Sequence, residues 1–195
     1  SAVLIRKSYG FGRGYDHYDD STTYGYPNSA QNMAQEINNR TLAWLDASRD
    51  PDKPLFLYLY YFDPHSWYNP PAPYDTLYDN TYAGTFTPEI VQDGQSIVDG
   101  STLPTARDIE HIVALYDGEI AYWDAKFGEM LSALQSRGLL DNALVVVTAD
   151  HGESFGEHNK WVHAGSLYEE AMRVPLLMRY TGVIEADSSI SLPVT

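Results

Sequence analysis

No cysteine occurs in the chain, so disulfides, thiolate zinc sites and a cysteine nucleophile are excluded within it. Positive charge is scarce as well: 12 Lys and Arg stand against 27 Asp and Glu, a formal net charge of −15. A general nucleic-acid surface should be basic, and this balance argues against one. The same field repels an anionic substrate unless a bound divalent cation reverses it locally. Long apolar runs are missing too. The longest, 55–62 and 143–147, fall far short of the roughly 20 residues that a membrane-spanning helix needs. What is present is an ordinary globular composition, 44% hydrophobic over 195 residues, enough for one domain with a proper core.

Along the chain, 2–5 (AVLI) reads as the end of a strand, and YGFGRGYDHYDD as a Gly- and Asp-rich loop. Met33, Ile37, Trp44 and Leu45 recur at helical spacing within 29–48, with Ser29 as its N-cap. LFLYLYYF (55–62) is apolar on both alternating faces, as in a strand covered on both sides. From Asp63 to Thr105 no period holds, and Pro, Gly, Asn, Asp and Tyr dominate. So long an irregular excursion points to a functional loop; its tyrosines predict an ordered, partly packed one, with a hairpin near Val98. The steps Ile109, Ile112, Val113, Tyr116, Ile120, Trp123, Phe127, Leu131 and Leu134 predict a long helix stopped by Gly138. Gly118 and Gly128 mark close packing or a kink in it. A strand over 143–148, a polar loop, a short helix at 168–172 and a strand at 174–180 follow. Helices alternating with buried strands predict an α/β domain with a mostly parallel or mixed sheet sandwiched by helices.

Ligands of such sheets gather beyond the carboxyl ends of strands. Two strands here end alike, LFLYLYYF in Asp63-Pro64-His65 and ALVVVT in Ala149-Asp150-His151-Gly152. Pro64 breaks the ladder and presents His65 at the rim, while Gly152 permits a sharp turn after two potential ligands. Asp150 offers a hard carboxylate and His151 a neutral imidazole, a pairing that suits several divalent cations. His158 and His163 follow within a dozen residues, and a histidine can donate a proton to a leaving oxygen or hydrogen-bond an anion. His163 is the better placed, ahead of a short helix; His158 fits a turn cap equally well. Glu153, Glu157, Glu169 and Glu170 read as solvated or capping groups. His17 and His111 stand apart from the others, His111 on the long helix.

Taken in order, GFGRGYDHYDD, PLFLYLYYFDPHSWY, LYDGEIAYWDAKFGEML, GLLDNALVVVTADHGESFGEH and HAGSLYEEAMRVPLL resemble the sulfatase family of the alkaline-phosphatase superfamily. The resemblance runs from Phe11 to Leu177 and omits Asp79–Thr105. It implies an alkaline-phosphatase-like fold, present here incompletely, and hydrolysis of a sulfate ester, whether of a small molecule or a carbohydrate. It also implies one divalent cation, usually Ca2+, and a formylglycine nucleophile made from Cys or Ser. Asp150 and His151 match the family's downstream metal ligands, His65 its sulfate-contacting histidine, and His163 its Lys or His near the ester oxygen. Family habit adds a periplasmic or extracellular location. Oligomeric state is not legible.

The departures are specific. The family's paired metal-binding aspartates and its Cys/Ser-x-Pro-x-Arg motif have no counterpart here, so the chain reads as an internal fragment, 1–195, of one catalytic domain. It is expected to be inactive alone, with 63–105 as a substrate-side excursion. Thr102-Leu103-Pro104-Thr105-Ala106-Arg107 has the look of a threonine nucleophile motif but sits where a helix should start. His151 replaces a common Asn, and its nitrogen suits Mn2+ or Zn2+ better than Ca2+. A phosphonate monoester or phosphodiester hydrolase of the same superfamily, or a catalytically dead binding scaffold, are the alternatives.

Overall fold

The computed structural model describes residues 5–23, 33–65, 68–86, 101–163, 165 and 167–190. Ser29, most of the first expected strand and the hairpin expected near Val98 lie outside them. In chain order the principal elements are α1 (Met33–Ala47), α2 (Ala106–Ser136), β1 (Leu144–Thr148), β2 (Ser154–Phe155), β3 (Trp161–Val162), α3 (Glu169–Met172) and β4 (Leu176–Tyr180).

Helix α2 is the spine. Thr105 caps its N-terminus: the Asp108 amide donates to Thr105 Oγ1 (3.3 Å) and the Thr105 amide to Asp108 Oδ2 (2.8 Å), a reciprocal capping box. The TLPTAR segment is therefore a helix start. At the other end the amides of Gly138 and Leu139 donate to Gln135 O (2.9 Å) and Leu134 O (3.0 Å). This is a Schellman motif, and it needs the left-handed backbone that Gly138 adopts at φ +68°. Gly118 is a close-packing position, since a Cβ there would lie 2.5 Å from the Tyr74 carbonyl oxygen; at Gly128 one would meet nothing within 4 Å.

One stripe of α2 buries two separate clusters. Its N-terminal half joins Ile112 and Leu115 to Tyr68 and Phe86 of the excursion, with Phe155 and Trp161 of the β2–β3 hairpin against them. Its C-terminal half joins Met130 and Leu134 to Leu45 of α1, with Leu55, Leu57, Leu59 and Val145 alongside. Buried Asn38 of α1 fastens the second cluster, donating to the Lys126 carbonyl (2.7 Å) and accepting from Tyr61 Oη (2.7 Å). Arg137 reaches Asp46 through two parallel 2.8 Å bonds and ties the two helix ends together.

The strands are antiparallel in both described sheets: β1 runs against β4 from Leu144↔Tyr180 to Thr148↔Leu176, and β2 against β3. Residues 55–62 depart from the expected doubly covered strand and form no ladder among the described residues. They alternate in burial as an extended chain does, with Phe56 and Tyr58 at 76% and 60% exposure. Leu55, Leu57 and Leu59 meet the helix cluster while Phe56 and Tyr58 face outward; at the end of the segment Phe62 turns in and is buried.

The excursion is ordered where it is described. Arg107 Nη2 and His111 Nδ1 grip the two oxygens of Asp79 at 2.7 and 2.9 Å, and the His111 ring stacks on Tyr82 at 3.8 Å. Hydrogen bonding from Arg107, then from His111, holds the Asp79 carboxyl well below the usual carboxylate range. His111 is thus structural.

Two carboxyls lie inside. Glu119 on α2 accepts from the Asn69 amide at 2.9 Å, and Asp63 accepts from the Ala34 amide in the first turn of α1. Burial pushes Asp63 up to about 6; burial, reinforced by the charge on Asp63, pushes Glu119 up to about 8. The folded chain therefore keeps protons that the unfolded chain releases near pH 4. The stability contributed by these protons is full below pH 4 and is lost as pH rises through 6 and then 8. Glu119→Gln should leave the urea midpoint nearly unchanged at pH 5 and raise it at pH 9, by a margin on the order of a few kcal/mol. Equal effects at the two pH values would refute the assignment.

Candidate active site

β1 delivers Asp150 and His151 to the rim as the ladder ends at Thr148. Gly152 follows, and its necessity is contact rather than turn geometry. Its φ is not in the left-handed region; instead its amide donates to Ala171 O at 2.8 Å, and a Cβ would lie 2.1 Å from the Glu170 carbonyl oxygen. The end of β1 is pressed against α3, which corrects the expectation of a glycine-dependent sharp turn.

That contact fixes the two side chains. His151 Nδ1 lies 2.8 Å from the Gly152 carbonyl oxygen. A carbonyl only accepts, so Nδ1 carries the proton and the neutral ring keeps its lone pair on Nε2. This is the arrangement usual for a metal-bound imidazole, whose other nitrogen donates to a carbonyl or carboxylate. Nε2 stands 3.7 Å from Asp150 Oδ1, a separation at which both atoms can ligate one cation at bond lengths of about 2.0–2.6 Å. Tyr60 Oη donates to Asp150 Oδ2 at 3.2 Å and holds the carboxylate from its other side. Among the described residues no group of three His, Asp or Glu is placed to hold a metal; this pair offers two donors.

His65 arrives from the other segment end. Its amide donates to the Phe62 carbonyl at 2.8 Å, closing the turn through Asp63 and Pro64, and its ring stacks on Phe62 at 4.2 Å. The His163 ring packs face to face with His151 at 3.9 Å and edge-on to His65 at 5.3 Å. Asp150, His151, His163 and His65 thus follow one another through a chain of contacts at one rim, with His65 drawn in from 86 residues before His151. His158 points elsewhere, bonded to Glu170 at 2.8 Å and stacked on Tyr168 at 3.8 Å. His17 stacks on Trp44, remote from the rim.

Glu153 was legible in the sequence only as a solvated or capping group, and the structure places it inside. Its side chain is 6% exposed; Oε1 lies 3.1 Å from His163 Nδ1, and Oε2 accepts from Tyr68 Oη at 2.8 Å. Tyr68 itself is 1% exposed. The one sequence signal available was the two-residue step from His151 to Glu153, which puts both on the same side of an extended segment.

A family model described as Sulfatase matches residues 5–194. The chain belongs to the sulfatase family. Over 137 residues, 67% of its length, it is 31% identical to an arylsulfatase of Clostridium perfringens, covering 28% of that protein. It is 29% identical over 174 residues, 87% of its length, to mouse arylsulfatase K, covering 27% of it. A crystal structure of a Bacteroides fragilis protein described as a sulfatase matches 76% of the chain with a TM-score of 0.58 at 23% identity, over 31% of that protein. The last likeness shows the fold, the alkaline-phosphatase-like α/β architecture. This sulfatase-family chain spans less than a third of the length of each of the three proteins. No described helix is long and apolar enough to cross a membrane.

In this sulfatase chain Gly152→Ala should lower the unfolding midpoint by several degrees, equivalent to roughly 2 kcal/mol or more, because backbone must move on both sides. Gly128→Ala, at an open helical position, should hold or raise it. A Gly152→Ala protein as stable as the parent would remove the close approach from the account of the site.

Proposed function

We propose that the gene product containing this chain hydrolyses sulfate esters, with Asp150 and His151 as two ligands of a single divalent cation. The observation that supports this reading is the placement of His163 directly against His151, with His65 packed on the edge of His163. When bound, the cation would stabilise the negative charge that builds on the sulfuryl oxygens. Ca2+ is the family's usual ion; the nitrogen donor of His151 makes Mn2+ or Zn2+ suitable as well.

The residues of the chain then divide the remaining work. Asp150 brings negative charge to the cation and Tyr60 keeps it oriented. His65, its ring held flat on Phe62, hydrogen-bonds a sulfuryl oxygen. His163 protonates the ester oxygen as the alcohol departs, which matters most when that alcohol is a poor leaving group. The nucleophile in this reading is a formylglycine outside the present sequence, since no Cys/Ser-x-Pro-x-Arg motif occurs in it. Its substrate is a sulfate ester of a small molecule or carbohydrate, hydrolysed in the periplasm or outside the cell.

The gene product should turn over 4-nitrophenyl sulfate, lose activity to a chelator and regain it with added cation. Asp150→Ala should lower kcat/KM about 100-fold or more. Full chelator resistance, or phosphate-ester turnover exceeding sulfate-ester turnover, would overturn the reading. His163→Ala should cost about 100-fold or more on alkyl sulfates and only about 5-fold on the activated aryl ester. Equal losses on both would take the proton-donor role from His163.

A further inference from the structure

One carboxylate in contact with a rim histidine has no part in the reading above. It is Glu153, buried to 6% exposure in a chain whose other acids are mostly at the surface. Leaving a carboxylate out of water is costly unless its oxygens are matched by donors. Here each oxygen has one partner, Tyr68 Oη on Oε2 and His163 Nδ1 on Oε1. Tyr68 in turn is anchored in the core, edge-on to Tyr116 at 5.4 Å and tilted against Phe155 at 5.7 Å. The carboxylate is thus held between a core-anchored phenol and the His163 ring, and the ring is the member it can orient.

We propose that Glu153 is the positioning residue for His163, and that Tyr68 is the strut that holds Glu153 in place. A carboxylate can only accept, so the His163 proton it faces sits on Nδ1; Nε2, turned away from it, is the nitrogen that carries the second proton when the ring serves as donor. Two further contacts leave the ring little freedom: His151 stacks on its face and His65 meets its edge. The bond to Glu153 selects one of the two flipped orientations that those apolar contacts alone would allow. The inference rests on the proton-donor role given to His163 under the proposed function, but its geometric half can be read independently.

The gene product supplies the first test. Glu153→Ala should lower kcat on alkyl sulfates about 10- to 100-fold, with KM changed less than about 2-fold, in the range of a lost orienting partner. Glu153→Gln keeps an acceptor oxygen in place and should recover to within about 5-fold of the parent, which simple loss of a packed side chain would not explain. The Glu153→Ala/His163→Ala double variant should be no slower than His163→Ala alone, because the two act as one unit. Additive losses, or equal losses on alkyl and activated aryl esters, would overturn the proposal. Should Glu153→Ala not fold, Tyr68→Phe replaces it in the same cycle, with a smaller loss expected and the same non-additivity required.

Nitrogen NMR of 15N-histidine-labelled protein supplies the second test and needs no turnover. His163 should be protonated on Nδ1 in the parent and in Glu153→Gln, and should become a tautomer mixture in Glu153→Ala. An Nδ1-protonated His163 in a protein inert toward sulfate esters would overturn the reaction and leave the positioning intact. A mixture already present in the parent would overturn the positioning itself.

Discussion

The stripe of apolar residues along α2 is the constraint on which the rest of the molecule depends. From Ile112 to Leu134 it buries side chains against two different partners. One is the α1–β1 half that carries Asp150 and His151; the other is the excursion and hairpin that carry Tyr68 and Phe155. A helix of this length is a rigid rod, so partners docked at its two halves are held at a fixed separation. The rim pocket is assembled by that rod more than by any contact inside the pocket. His65 and His163 meet because Tyr68 and Trp161 pack against the same turn-and-a-half of helix as Ile112 and Leu115.

Such a plan explains which features the sequence announced. The α2 periodicity, its Thr105 start and Gly138 stop, the β1 run and the short helix before β4 are local signals, each set by spacing or by one cap. They were legible because local chemistry alone decides them. The approach of His65 to the end of β1, by way of His163, was expected from a rule about strand ends and from the family resemblance, although 55–62 pairs with no described strand. Residues 55–62 misled for a physical reason: alternating Leu and aromatic residues look alike in a two-sided strand and in an extended segment with one side open. Phe56 and Tyr58 are as apolar as Leu57 and Leu59, so composition could not say which side was covered.

Glu153 was hidden for a different reason. Nothing within five residues of it indicates burial, and its two partners lie 85 residues upstream and 10 downstream. Partnership across that distance is a tertiary fact. The same holds for Asp63 and Glu119, whose raised proton affinities come from being enclosed and, for Glu119, also from the charge on Asp63. Asp63 was noticed only as the residue before Pro64; in the fold it accepts from Ala34 and so supplies α1 with an N-terminal partner from another part of the chain. Buried polar groups of this kind weaken a small domain in isolation. Here they sit at the junctions where the excursion and the 55–62 segment turn into the rim, and they fix those junctions by direction rather than by area.

The charge balance bears on the chemistry in the same way. A chain with 15 more acids than bases repels a sulfate monoester at long range. Four of the basic side chains are committed to carboxylates elsewhere: Arg40 to Asp19 and Glu36, Arg107 to Asp79, Lys126 to Glu129, Arg137 to Asp46. None of them is available to neutralise an anion at the rim. What the rim does concentrate is imidazole, three rings in series with His163 in contact with both others, set against one exposed carboxylate at Asp150 and one buried at Glu153. Imidazoles can present N–H donors to an anion without carrying the fixed charge of a lysine, and they can share a cation with a carboxylate. Under the proposed reading, an acidic scaffold that admits an anion at one point is served by such groups, and repulsion elsewhere on the surface disfavours diffuse binding.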